Sequence, residues 1–113
     1  MTTPDQIPQT DPVDARELAA GGALLLDVRE PAEWSAGHIE GAVHTPLGEL
    51  DPMAFDRDRM VVAVCRSGNR SGKAAAALAD AGVDVRNLAG GMTAWSEAGL
   101  PFVDDDGEPG TVA

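Results

Sequence analysis

The sequence predicts an α/β fold, a parallel sheet with helices on both faces, and three observations carry that expectation. Short β-branched apolar runs alternate with helix-patterned segments, the connections are short, and the run Met60-Val61-Val62-Ala63-Val64 is uncharged throughout, as a buried central strand must be. In open sheets of this kind, sites form outside the carboxyl ends of the strands. The 113 residues give room for one domain, and 43% hydrophobic content suffices to fill a single modest core.

The elements follow in order. Thr2 to Pro12 is polar and carries three prolines, so it reads as a loose lead. A short helix is expected at about Val13 to Ala20, opened by Asp11 or Pro12 and ended by Gly21-Gly22. Ala23 to Val28 reads as a buried strand, Pro31 to Ala36 as a short helix with proline in its first turn, and Ala42 to Thr45 as a second short strand. Leu47 to Phe55 offers a helical turn or two. Met60 to Val64, Asn69 to Ala81, Val85 to Leu88 and Met92 to Ala98 then complete a strand, helix, strand, helix series. The stretch from Asp104 to Gly110 is acidic and carries glycine and proline, so it reads as a second loose end.

Charge narrows the partners. Eight Lys and Arg stand against 19 Asp and Glu, a formal net charge of −11, which argues against nucleic acid and anionic membranes. Between Arg59 and Ala79 there is no acid, while Arg59, Arg66, Arg70 and Lys73 all fall in that window. Such a cationic island in an acidic protein draws small anions to one place. No run approaches the roughly 20 apolar residues needed to span a bilayer. The start, Met1-Thr2-Thr3-Pro4-Asp5, lacks the basic and apolar regions of a signal peptide, so a cytoplasmic location is expected.

Cys65 is the only cysteine, which excludes an internal disulfide and suits a reducing compartment. It sits where the apolar run gives way to Arg66-Ser67-Gly68-Asn69-Arg70-Ser71-Gly72 and then to the alanine-rich helix. A loop from strand to helix turns successive N–H groups toward one point, which the positive end of the helix dipole also faces. A thiolate is stabilised there, and the thiolate is the reactive form. Out of this context a lone cysteine reads as an inert buried residue; the glycine-bearing loop, flanking arginines and helix start decide otherwise. Gly68 is expected to supply a positive φ or a close approach, and Asn69 or Ser71 to cap the helix.

Several segments together resemble the rhodanese-like (thiosulfate sulfurtransferase) single domains. Leu25-Leu26-Asp27-Val28-Arg29-Glu30, then Glu33-Trp34 and Gly37-His38-Ile39-Glu40-Gly41-Ala42, resembles the family's amino-terminal signature; Gly90-Gly91-Met92-Thr93-Ala94-Trp95, continuing to Ala98-Gly99-Leu100-Pro101, resembles its second. Cys65 to Ser71 resembles the active-site loop. The resemblance covers about residues 13 to 103, leaving residues 1–12 as a flexible lead and 104–113 as an acidic flexible tail. It implies a three-layer fold with a five-stranded parallel sheet of order 3-2-4-5-1, and a cysteine that carries sulfur as a persulfide. By the same resemblance Cys65 is the catalytic nucleophile, and Arg66, Ser67, Gly68, Asn69, Arg70 and Ser71 bind the substrate. Arg66 and Arg70 would hold the sulfonate end of a small anionic donor such as thiosulfate, and a thiol, cyanide or a sulfur-carrier protein would accept the sulfur. No cofactor is implied.

Two other functions compete. A sulfur carrier or docking module of the same shape would not turn over; such modules usually replace the nucleophile, whereas Cys65 and both arginines are present. Cysteine-dependent phosphatases and the related arsenate reductases require an arginine six positions after the cysteine. That position is Ser71, and Arg70 falls one place early, so a phosphoryl transition state would lose its bidentate partner. Asp27 and Arg29 read as a structural pair holding neighbouring loops, Trp34 and Trp95 as core packing, and His38 as bonded to backbone. His38 and His44 lack the neighbours of a metal site.

Overall fold

The computed structural model describes all of residues 1–113. Five strands, β1 (Gln9–Thr10), β2 (Leu24–Asp27), β3 (Val43–His44), β4 (Val61–Val64) and β5 (Val85–Leu88), pair in parallel in the order β1-β5-β4-β2-β3. Read from the other edge this is the expected 3-2-4-5-1. The helices are α1 (Pro12–Ala20), α2 (Pro31–Ala36), α3 (Asn69–Asp80) and α4 (Gly91–Glu97). The ambiguous stretch resolves into two 3₁₀ turns, Leu47–Glu49 and Pro52–Ala54.

Local sequence explains these boundaries. Asp11 caps α1 by accepting the Asp14 N–H at 2.8 Å, and Pro12 occupies the first turn, where its missing N–H costs nothing. Past α3, Gly82 takes φ +88°, which a residue with a Cβ adopts only under strain, so the chain leaves the helix there and turns into β5.

The core divides about the sheet. On one face Val61, Ala63 and Cys65 pack with Leu26 and Val28 against Ala74, Ala75 and Leu78 of α3. On the other, Val62 and Val64 pack with Leu25 and Leu88 against Ala15 of α1 and Met92 and Trp95 of α4. Every residue of β4 is buried, so its side chains alternate between two apolar layers, and this explains an unbroken apolar run without a polar face. Alanines along α3 let the helix lie close to the sheet. That proximity brings its amino-terminal turn directly over the end of β4.

The structure corrects three expectations. Residues 1–12 were expected outside the fold, yet Gln9 and Thr10 register with Asn87 and Leu88 as the edge strand, and Ile7 is buried in the α3-side core. The other end also engages the domain: Val103 bridges His38 and Pro109, and the Thr111 N–H donates to the Ala36 carbonyl at 2.9 Å. A strand of two residues has no periodicity to read; tertiary pairing alone creates it. Thirdly, Trp95 is core as expected, but Trp34 is only half-buried and stacks on His38 (ring centroids 3.8 Å) and His44 (4.8 Å). No helix is long and apolar enough to cross a membrane.

Candidate active site

Cys65 follows the last residue of the central strand, at the carboxyl edge of the sheet. From there the backbone carbonyls of Cys65 and Arg66 turn away from the loop interior to accept the N–H groups of Met92 (2.8 Å) and Thr93 (3.0 Å) in the first turn of α4. Gly91 makes this approach possible: it has φ +56°, and a Cβ there would collide with the Cys65 carbonyl oxygen and stand 2.7 Å from the Arg66 carbonyl carbon. With two carbonyls facing outward, the amides that follow face inward. Gly68, in the left-handed region at φ +100°, donates its N–H to Cys65 Sγ at 3.0 Å, and the amides of Ser67 and Ser71 favour the charged form of the sulfur. This is a nest of N–H groups at the amino terminus of α3.

Ser71 adds a side-chain donor. Its buried hydroxyl lies 3.2 Å from Cys65 Sγ and 2.5 Å from Asn87 Oδ1. The orientation of the Asn87 amide is fixed chemically, because Nδ2 faces the Gly68 carbonyl at 3.0 Å and Gln9 Oε1 at 3.1 Å, and a carbonyl can only accept. Burial pushes the Cys65 thiol up; the Ser71 hydroxyl and then the amides of Ser71, Ser67 and Gly68 outweigh it, and the thiol lies below its ordinary range. A sulfur with preorganised donors around it, favoured as the anion, is the result.

The charged groups arrange themselves less simply than the sequence suggests. Arg70 is paired fork to fork with Glu33 of α2, Nη1 to Oε1 at 2.6 Å and Nη2 to Oε2 at 2.8 Å. That guanidinium pulls the Glu33 carboxyl down to about 2, and Glu33 in turn raises Arg70. Arg66 is exposed and has no carboxylate partner. Beneath the loop, Asp27 and Arg29 form the structural pair expected of them: Arg29 Nε reaches both Asp27 oxygens (3.0 and 3.1 Å), and Nη2 reaches Asp27 Oδ2 at 2.8 Å and the Gly37 carbonyl at 2.7 Å. Both are buried, and Arg29 Nη1 has no partner.

Of the residues singled out from sequence, Cys65, Gly68 and Ser71 meet at the sulfur, and Ser67 is exposed in the loop between them. Asn69 is exposed at the start of α3. Neither Asn69 nor Ser71 caps that helix; Gly68 stands at the cap position without a side chain, because the Ser71 hydroxyl is committed to Cys65 and Asn87. His38 and His44 each bond a backbone carbonyl, of Trp34 and Arg29, at 2.8 and 2.7 Å.

Sequence reasoning missed Glu33 and Asn87. Asn87 left a signal: it shares the α3-side face of β5 with Val85, where strand periodicity calls for an apolar residue, and a polar group there needs a partner. Glu33 left none, since it lies 37 residues from Arg70. Three cavities indent the protein and none is lined by Cys65; the largest, about 650 Å³, lies among Thr10, Glu17, Ala23, Met60 and Arg86.

Comparison with known proteins bears on this arrangement. Residues 11–98 match the family described as Rhodanese-like domain. The uncharacterized protein slr1261 of Synechocystis is 42% identical over 89 residues, 76% of this chain, and the chain spans only 50% of that protein's length. The thiosulfate sulfurtransferase GlpE of Pseudomonas aeruginosa is 36% identical over 94 residues, covering 80% of this chain and 86% of GlpE. Among solved structures, a rhodanese-related protein from Thermoplasma volcanium superposes with a TM-score of 0.79 at 32% identity, covering 85% of this chain and 97% of that one.

Proposed function

The chain belongs to the rhodanese-like domain family, and on that premise we propose that it is a sulfurtransferase working through a Cys65 persulfide. The observation that carries this reading is the set of donors converging on Sγ, the Gly68 N–H at 3.0 Å and the Ser71 hydroxyl at 3.2 Å, which favour the anion. In the first step the thiolate attacks the outer sulfur of thiosulfate or another sulfane donor. The Sγ–S bond forms, the donor's S–S bond breaks, and its electron pair leaves on sulfite or on a thiolate. The persulfide keeps one negative charge on its terminal sulfur, and the N–H groups of the loop are placed to stabilise it as an oxyanion hole stabilises oxygen. In the second step cyanide, a low-molecular-weight thiol or a carrier protein takes that sulfur and returns Cys65 as the thiolate.

Phosphoryl transfer fits the site less well. The position where phosphatases carry their arginine is Ser71, whose hydroxyl is held by Cys65 and Asn87, so no guanidinium fork faces the nucleophile there. Sulfur relay without rapid turnover is the second reading, since the same donors on Sγ hold a persulfide whether or not it turns over rapidly.

Intact-mass spectrometry after incubation with thiosulfate tests the proposal: the native chain gains one sulfur atom and Cys65→Ser gains none. A native chain that stays unmodified by any sulfane donor overturns it. Turnover with thiosulfate and cyanide separates the two readings, since a relay protein charges but regenerates slowly.

A further inference from the structure

Two arginines stand in the Cys65 loop, and either could meet an anionic donor, but they are not equivalent in three dimensions. Both terminal nitrogens of Arg70 are engaged by the two oxygens of Glu33, at 2.6 and 2.8 Å, with the Arg70 side chain 34% exposed and that of Glu33 18% exposed. Arg70 is near enough to Cys65 for the sulfur's charge to act on it. A donor carrying a sulfonate must therefore displace a bidentate carboxylate or take only the N–H groups that Glu33 leaves, and in either case brings its own negative charge beside Glu33.

We propose that Glu33 is a specificity-determining positioning residue, which by pairing with Arg70 turns the site away from dianionic donors such as thiosulfate and toward persulfides whose leaving thiolate carries no further anionic group. The inference rests on the sulfurtransferase reading given above and deepens it. Glu33 belongs to α2, whose sequence Pro31-Ala32-Glu33-Trp34-Ser35-Ala36 packs no buried residue of its own, so the carboxylate is placed by helix position rather than by a core. Its N–H-facing oxygen also accepts the Glu30 amide at 3.1 Å, which fixes the side chain with the helix start. The carboxyl remains ionised at any working pH, its pKa being held at about 2. The block is therefore constant, not a pH switch. Arg66, exposed and without a carboxylate partner, is left to provide general attraction for anions.

The test compares the second-order rate at which two donors charge Cys65 in the full chain, thiosulfate and the persulfide of 2-mercaptoethanol, followed by mass spectrometry. In both, the donor's S–S bond breaks as the Sγ–S bond forms; the electron pair leaves on sulfite in one case and on the uncharged alcohol's thiolate in the other. Glu33→Gln and Glu33→Ala shift the ratio of the two rates toward thiosulfate by about two- to fivefold, the scale set by a partly exposed ion pair. Added salt shrinks that shift, because the freed guanidinium is screened. In Arg70→Gln, a further Glu33→Gln change leaves the ratio where it was. An unchanged ratio in folded Glu33 variants, or a shift toward the persulfide, overturns the inference alone; failure of both donors to charge native Cys65 overturns the sulfurtransferase reading and this inference with it.

Discussion

The Ser71 hydroxyl stands between Cys65 Sγ, 3.2 Å away, and Asn87 Oδ1, 2.5 Å away, and it has one proton for the two of them. With Cys65 as a thiol both contacts are satisfied: the S–H donates to the Ser71 oxygen and the hydroxyl donates to Asn87. Once the thiol ionises, the hydroxyl must turn to the sulfur and Asn87 Oδ1 loses its donor. Cys65 is thus poised between two arrangements of one hydroxyl group.

Ser71→Ala removes the first side-chain donor to the thiolate and leaves the backbone donors in place. We expect the pH midpoint for alkylation of Cys65 by iodoacetamide to rise by about one unit, since one unit corresponds to ~1.4 kcal/mol and a hydrogen bond to a charged group is worth about that or somewhat more. In the native chain the midpoint lies below that of an ordinary thiol, near 8.5, because the Ser71 hydroxyl and the loop amides outweigh burial. A midpoint unmoved by the substitution would assign the whole effect to the backbone.

Gly91→Ala tests whether α4 shapes the loop. A Cβ at this position would meet the carbonyls of Cys65 and Arg66 in a residue at φ +56°, where side chains cost ~1–2 kcal/mol before any collision is counted. Thermal unfolding should fall by more than that strain alone accounts for, and persulfide formation at Cys65 should fall with it. Gly99→Ala supplies the control: its φ is +74°, and nothing stands within 4 Å of the added methyl, so only the strain is incurred.

The Glu33 and Arg70 pair predicts an acid limb. Arg70 and the Glu30 amide depress the folded-state pKa of Glu33 from 4.5 to about 2, so the unfolded chain binds the proton more readily. The stability this contributes is present above about pH 4.5 and is lost as pH falls toward 2. Melting temperatures of native protein and Glu33→Gln should differ near pH 6 and converge as pH drops through that window. Parallel curves down to pH 3 would show that the pair adds nothing to stability.

How much of this was legible in the chain follows from where each contact comes from. The strand-to-helix loop is local, so Cys65, Gly68 and the helix start could be read from residues within a dozen positions of one another. β4 announced itself by lacking any charge, because both its faces are buried. Glu33 and Asn87 reach the loop from 37 and 16 residues away, and no local pattern encodes those meetings. The cationic island is continuous along the chain yet is partly neutralised in space, as α2 brings a carboxylate to Arg70.

The amino-terminal segment offers the sharpest test of what local reading could not see. Ile7 is 5% exposed in the core beneath α3, and Gln9 both pairs with β5 and accepts from Asn87 Nδ2 at 3.1 Å, the same amide that braces the Gly68 carbonyl. Removing residues 1–10 should cost the ~1.5–3 kcal/mol of one buried isoleucine, to which the lost edge strand adds. It should also loosen the Asn87 amide and so alter Cys65 alkylation without touching the loop itself. Ile7→Ala separates the two effects: it lowers the melting temperature while Gln9 and its bond to Asn87 remain. If the truncated chain instead melts and alkylates as the native one does, these residues only rest on the domain and take no part in bracing Cys65.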